Sequence, residues 1–428
     1  MREWLSLRDG TLHVGAERFH LGRGRIAMVA AGKAAGRMAG AAERILAGEL
    51  SGAIAVDTTA TTTLEKTTRY LARHPVPDSR GERAARAVRD LAASLGSGDL
   101  LLVLLSGGAS ALLAAPVEGV PLRDKAAATT ALIRSGASIG EINAVRKHLS
   151  TLKGGQLARI AAPARIVTLV LSDVVGDDLA TIASGPTAPD PTSYRDACAV
   201  VQRYGLRRRI PASVRRHLDA GARGAREETP KPGDAVFRGV HHQIVGNNRL
   251  ALEAAAAEAR RRGLRPRILT SRLEGEAREV ARVLVAMLRE HVEQGPFASA
   301  PVCLLAGGET TVSVHGSGRG GRNQELVAAA AESLATFPGP ALVASLATDG
   351  VDGNSDAAGG FADDRSLARA AQEGLSFRAA LAANDSSTLL GALGDRIQTG
   401  PTGTNVMDVT VLLGGGRTAT GSARQRKL

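Results

Sequence analysis

The chain reads as an α/β protein of two domains, each with a mainly parallel sheet flanked by helices. Three observations carry this. Runs such as LLLVLL (100–105) and RIVTLVL (165–171) are continuously apolar, the pattern of strands buried on both faces. Alanine-rich stretches of helical length alternate with them, as parallel crossovers require. At 428 residues the chain can fill two cores.

Taken in order, the strand candidates are RIAMVA (25–30), LLLVLL (100–105), RIVTLVL (165–171), HQIVG (242–246), PRILT (266–270), VCLLA (302–306), TVSVH (311–315), ALVASLA (341–347) and VMDVTVLL (406–413). Each is rich in β-branched residues or leucine and bounded by polar or glycine punctuation. Helices are expected over 81–95, opened by a Ser79-x-x-Glu82 capping signal, and over 123–135, 139–150, 248–262, 275–294, 324–334 and 365–373. The segment GARGAREETPKPGDAV (221–236) mixes glycine, proline and charge without apolar periodicity, so it reads as a linker. It divides the chain into domains 1–225 and 226–428. LLVLLSGGAS (101–110) and VCLLAGGETT (302–311) echo one another, although a shared strand ending alone accounts for that.

Composition narrows the function. A net charge of +12 invites a nucleic-acid partner, but aromatics make up only 2 % of the chain and leave few rings for base stacking. The arginine clusters 207–209, 215–216 and 260–262 fall near expected helix ends among acids, as a solvated surface would place them. The two cysteines, Cys198 and Cys303, lie in apolar segments and are expected as buried free thiols. No secretory leader opens the chain and no apolar run reaches membrane-spanning length, so a cytoplasmic protein without a membrane or nucleic-acid partner is expected.

Ligands of open α/β sheets gather at the carboxyl ends of strands. The first such end carries Gly32 and Lys33, a close-approach residue beside a point positive charge. The second is the turn Ser106-Gly107-Gly108-Ala109-Ser110, a backbone cradle for an anion. The third ends in Asp173, placed to deprotonate a hydroxyl, to hold a metal, or merely to form a turn. ATDGVDGNSDAAGG brings Asp349, Asp352 and Asp356 into a glycine-rich loop suited to a magnesium–nucleotide contact. Thr402, Gly403, Thr404 and Asn405 can wrap phosphate or form a tight turn.

The stretch HGSGRGGRNQEL (315–326) satisfies G-x-G-x-x-G, the fingerprint of a nicotinamide turn. Its context does not suit one. The expected strand before it is short, the next strand ends far beyond the required spacing, and Arg319 and Arg322 crowd the loop. An arginine-bearing loop at a helix start suits a carboxylate or a transferring phosphoryl group better.

The motifs GKAAGRMAG, RHPVPDSRG, LLSGGASALLAAP, EINAVRKHLSTLKGGQLA, LSDVVGDDLATIASGPTAPDP, GGETTVSVHGSGRGGRNQEL, ATDGVDGNSDAAGG and TGPTGTNVMDV, in this order, resemble the class II glycerate kinases, the glycerate 2-kinases with a C-terminal MOFRL domain. The resemblance runs from about Ile26 to about Leu413. Family members usually carry a helical segment before the first strand, for which this sequence has no counterpart after Met1. The resemblance implies two α/β domains with the active site in the cleft between them. It further implies transfer of the γ-phosphoryl of ATP, with Mg²⁺, to the 2-hydroxyl of D-glycerate. Lys33, Arg322 and Asp173 match its active-site lysine, arginine and aspartate. Ser106, Gly107, Gly108, Ser110, Arg319, Asn323, Thr402, Thr404 and Asn405 are then expected around substrate and phosphate, and Glu309 and Asp349 near the metal. A nicotinamide-dependent hydroxypyruvate reductase, a label proteins of this family have carried, is the alternative. Assembly with further copies of the chain stays open.

Overall fold

The computed structural model describes residues 3–294 and 301–415. The chain divides into two units, Met1–Val245 and Gly246–Leu428.

The first unit opens with an antiparallel meander of β1 (Leu5–Arg8), β2 (Thr11–Val14) and β3 (Glu17–His20). Leu5, Leu12 and Val14 from it pack in one core cluster with residues of helix α1 (Ala35–Leu46). A six-stranded sheet follows, built from β4 (Ile26–Ala31), β5 (Leu50–Asp57), β6 (Thr68–Leu71), β7 (Leu100–Leu105), β8 (Arg165–Leu171) and β9 (Val240–Gly246), in the order β6-β5-β4-β7-β8-β9. The pairings from β6 to β8 are parallel. Counted from β4, the order is that of doubly wound sheets, in which the crossovers reverse between β4 and β7 and open a crevice at their carboxyl ends. Both strands are buried along their whole length, as their unbroken apolar sequence requires.

The remaining helices of this unit are α2 (Ser79–Ala93), α3 (Ala109–Leu112), α4 (Leu122–Arg134), α5 (Ile139–His148), α6 (Gln156–Ala161), α7 (Tyr194–Arg203) and α8 (Ala212–Ala222). The cap of α2 differs from the expected one. Asp78, one residue earlier, accepts from the Gly81 N–H and makes Ser79 the first helical residue.

The expected boundary near residue 225 also differs from the observed division, which falls after Val245. The charged segment is stitched to the first unit. Thr229 donates to the buried Asp190 carboxylate, the Asp190 N–H donates to the Pro230 carbonyl, and Phe237 packs on the core under the sheet. The chain then adds β9 as the last strand. Such pairings hide in a sequence whose composition looks like a linker.

The second unit carries β10 (Arg265–Leu273), β11 (Val302–Gly308), β12 (Ala341–Ala347), β13 (Gly359–Asp363), β14 (Arg396–Ile397) and β15 (Asp408–Gly414), in the order β10-β11-β15-β12-β13-β14. Only β10 and β11 pair in parallel. The sheet is therefore mixed and not mainly parallel: the last strand inserts between β11 and β12 and runs against both. Its helices are α9 (Asn248–Arg261), α10 (Ala277–Glu293), α11 (Arg322–Leu334), α12 (Ser366–Gln372), α13 (Phe377–Ala382) and α14 (Ser386–Ala392). TVSVH is not a strand. Apart from one bridge at Thr311, its backbone N–H groups go to side chains: Ser313 to Glu276 and His315 to Asn384. The glycine pair that β11 shares with β7 is local, because the two strands sit in sheets of different order and polarity.

Surface arginines pair with acids as expected, for example Arg207 with Asp219 and Arg262 with Glu258. Cys303 is buried and Cys198 half-buried, both as free thiols. Among the described residues no helix is long and apolar enough to cross a membrane.

Candidate active-site residues in each unit

In the first unit the crevice between β4 and β7 is built by close backbone contact. Gly32 has φ +125°, and a Cβ there would lie 2.2 Å from the Ser106 hydroxyl and 2.4 Å from its carbonyl oxygen. Only glycine fits. This contact sets the Lys33 N–H 2.8 Å from the Gly107 carbonyl and leaves the side chain exposed at the strand end. Its stem runs past Gly108, where a Cβ would meet Lys33 Cγ at 3.4 Å and the His74 ring at 3.1 Å. Burial, with the Lys33 charge beside it, pushes the His74 imidazole below its ordinary range. Asp173, two residues beyond β8, reaches over Gly107, where a Cβ would fall 1.9 Å from its Oδ2. Lys33, Asp173, Gly107 and Gly108 are thus brought together.

Ser106 is not available to a ligand. It is 2 % exposed, and its hydroxyl accepts from the Ala34 N–H at 3.0 Å. Asp57, at the end of β5, accepts from the Gly36 N–H at 3.0 Å. The first turn of α1 is therefore capped from within, by a serine and a buried carboxylate. Ser110 shares a 2.8 Å hydrogen bond with the Ser184 hydroxyl.

In the second unit Arg322 opens α11 and meets two strand ends. Its Nη2 and Nε donate to the two oxygens of Asp408 at 3.0 and 2.5 Å, and its Nη1 donates to Glu309 at 2.6 Å. Register explains the convergence, since Gly308 and Asp408 face each other across β11 and β15. Burial works against the guanidinium charge, but Asp408, Glu309 and Asp352 outweigh it and hold Arg322 above its ordinary range. Glu309 and Arg322 line a cavity of about 550 Å³, together with Gly320, Gly321 and Asn354.

The helix start behind this arginine is occupied. Asp352, 1 % exposed, accepts from the N–H groups of Asn323 and Gln324 and from both of their side-chain amides, at 2.9 to 3.1 Å. Asn323 is 1 % exposed and also accepts from Ser345 at 2.6 Å, so its side chain serves the fold and not a ligand. The loop glycines have the same cause. A Cβ would strike the Ala383 carbonyl from Gly316, Asp385 from Gly318, Ser386 from Gly320 and Asp352 from Gly321, each within 2.4 Å. The G-x-G-x-x-G pattern here packs a loop against its own unit. Asp352→Ala would orphan three buried donors, the Gln324 amide keeping Ser355, and a loss of roughly 3 kcal/mol is expected, read as a lowered urea midpoint with an unchanged slope.

The other expected contacts are mainly turn-builders. The Arg319 guanidinium lies 3.9 Å from Asp356, both being exposed. Asp349 accepts from the Val351 N–H within its own turn. The Thr402 hydroxyl donates to the Thr348 carbonyl at 2.6 Å and accepts from the Thr404 N–H, while the Asn405 side chain accepts from Met407. These bonds tie the loop that delivers Asp408 to the end of β12. Asp408 and Asp57 escaped the sequence reading, whereas Asp352, expected at a magnesium–nucleotide contact, is buried at the start of α11. Asp57 had only the signal of a carboxylate at a strand end; Asp408 sits inside an apolar run at a strand start.

Among known proteins, residues 1–219 match the profile of a domain of unknown function, DUF4147, and residues 302–408 match the MOFRL family. A protein of Agrobacterium vitis named as a hydroxypyruvate reductase is 43% identical over 91% of this chain and 87% of its own length. A glycerate 2-kinase of Pyrococcus horikoshii is 37% identical over 96% of this chain and 91% of its own. The crystal structure of a glycerate kinase from Thermotoga maritima superposes with a TM-score of 0.83 at 40% identity, covering 92% of each chain. With both domains matched in order and these relatives spanning most of its length, the chain belongs to the glycerate kinase family that joins a DUF4147 domain to a MOFRL domain.

Proposed function

We propose that the chain is a glycerate 2-kinase of the cytoplasm, which transfers the γ-phosphoryl of ATP to the 2-hydroxyl of D-glycerate. The observation that carries this is Arg322, a guanidinium held in one orientation by Asp408 and Glu309 at the wall of a cavity. Phosphoryl transfer through a loose transition state asks a protein for positioned charge more than for covalent chemistry, and a fixed arginine supplies paired donors to equatorial oxygens. In the first unit Lys33 adds a mobile point charge and Asp173 the base. The glycerate oxygen bonds to phosphorus as the bond to the β-phosphate oxygen breaks, the hydroxyl proton passes to Asp173, and ADP leaves.

Among the described residues no group of three or more His, Cys, Asp or Glu is set to hold a metal. Mg²⁺ commonly takes one or two carboxylates beside nucleotide phosphates. Glu309 on the cavity wall and Asp349 after β12 would hold it, and when bound it would neutralise phosphate charge.

The name of the Agrobacterium relative favours a second reading, a reductase. The geometry opposes it. A dinucleotide turn offers its helix N–H groups to pyrophosphate, whereas here Ser106 and Asp57 occupy those of α1, and Asp352 those of α11. The test is incubation with D-glycerate, ATP and Mg²⁺ followed by NMR of the product, beside hydroxypyruvate with NADH or NADPH. 2-Phosphoglycerate without nicotinamide oxidation is expected; nicotinamide oxidation without phosphorylation would sink the kinase.

A further inference from the structure

A cavity of about 320 Å³ in the first unit is lined by Lys125 from α4, Arg146 from α5, Lys153 beyond it, and Ser110. Lys125 occupies the core face of its helix, in register with the buried Ala128 and Leu132. Its ammonium donates to the Leu149 carbonyl at 2.9 Å, and that of Lys153 to the Ser110 carbonyl at 2.6 Å. Both lysines are at least 94 % buried, being 6 % and 3 % exposed. The Arg146 guanidinium makes no hydrogen bond or ion pair among the described residues. The next two residues behave differently: Lys147 pairs with Asp190 and His148 with Glu228.

Lys125, Arg146 and Lys153 therefore converge, with the His74 imidazole, on one cavity whose lining, among the described residues, holds no carboxylate. Burial pushes Lys125 down to about 7, with Arg146 adding to it, and drives Lys153 down as well, with Lys125 and Arg146 adding. Such a cluster is costly until a ligand brings opposite charge. A single carboxylate would answer few of these basic groups, whereas phosphate groups bring several anionic oxygens that draw protons and charge onto all of them.

We propose that this cavity is a phosphate-group site, taking a small molecule that carries at least one phosphate. Ser110, expected from sequence near phosphate, lies on its wall. Which compound arrives rests on the kinase reading: the polyphosphate tail of the nucleotide or the phosphorylated hydroxyacid.

The test is calorimetric titration of the full chain with inorganic tripolyphosphate, a non-hydrolysable ATP analogue, 2-phosphoglycerate and D-glycerate. Two variants are compared with the wild type, each checked for an unchanged melting point. Arg146→Gln removes a cation that no described residue binds. Ile133→Glu, at a 56% exposed position on the wall, adds an opposing charge without touching the core. Tripolyphosphate affinity is expected to fall about tenfold or more in both, with D-glycerate binding unchanged. A parallel fall for the ATP analogue, or for 2-phosphoglycerate, names the occupant. If neither follows, the phosphate site stands and the kinase reading of its occupant fails. Wild-type protein that does not bind tripolyphosphate, variants that bind it as wild type does, or a loss confined to D-glycerate would each overturn the proposal.

Discussion

Arg322→Ala is expected to lower kinase turnover by roughly 10³–10⁵-fold, the range over which a transition-state arginine acts in phosphoryl transfer. Stability should fall with it. Asp408 is 5 % exposed, and without its bidentate partner it becomes a buried carboxylate near Asp352. Breaking a buried pair costs about 3–5 kcal/mol, and the low end applies because the guanidinium is 29% exposed. The two losses separate in a double variant. Arg322→Ala/Asp408→Asn removes the stranded charge and should recover most of the melting point but none of the turnover. Arg322→Lys keeps the charge yet cannot span both oxygens of Asp408, so it should remain strongly impaired. Near-normal turnover in Arg322→Ala would remove the central element of the mechanism.

Asp173→Asn should lower kcat by roughly 10²–10⁴-fold with little change in KM, as expected for loss of a general base that acts on the reacting hydroxyl. The carboxylate is half-buried just beyond β8, and the amide is isosteric with it. Gly107→Ala offers an independent check. Its Cβ would fall 1.9 Å from Asp173 Oδ2 and must displace the carboxylate without altering its chemistry. A matching fall in kcat would tie the rate to the position of Asp173. Full activity in both variants would leave the base elsewhere.

Much of the fold was legible because burial writes itself into strands. β7, β8 and β12 fall where continuous apolar runs or β-branched residues placed them, and α5 and α9 start where Ile139 and Asn248 were expected. The strand ends that carry Lys33, Gly107 and Asp173 were legible for the same reason, since these residues follow buried strands closely. Short amphipathic strands such as β1, β2 and β3 were not, because four residues carry too little periodicity.

What the sequence by itself determined about this protein is its α/β class, its family motifs, the strand ends that carry Lys33 and Asp173, and the helix start that carries Arg322. Tertiary structure alone decided which polar residues face inward. Ser106 and Asn323 have ligand-like identities, yet they are consumed by the Ala34 N–H and by Asp352 and Ser345. Asp408, inside an apolar run, holds Arg322 because β15 inserts beside β11. The physical reason is the same throughout: hydrogen-bond partners distant in sequence are set by strand order and register, and local pattern carries neither.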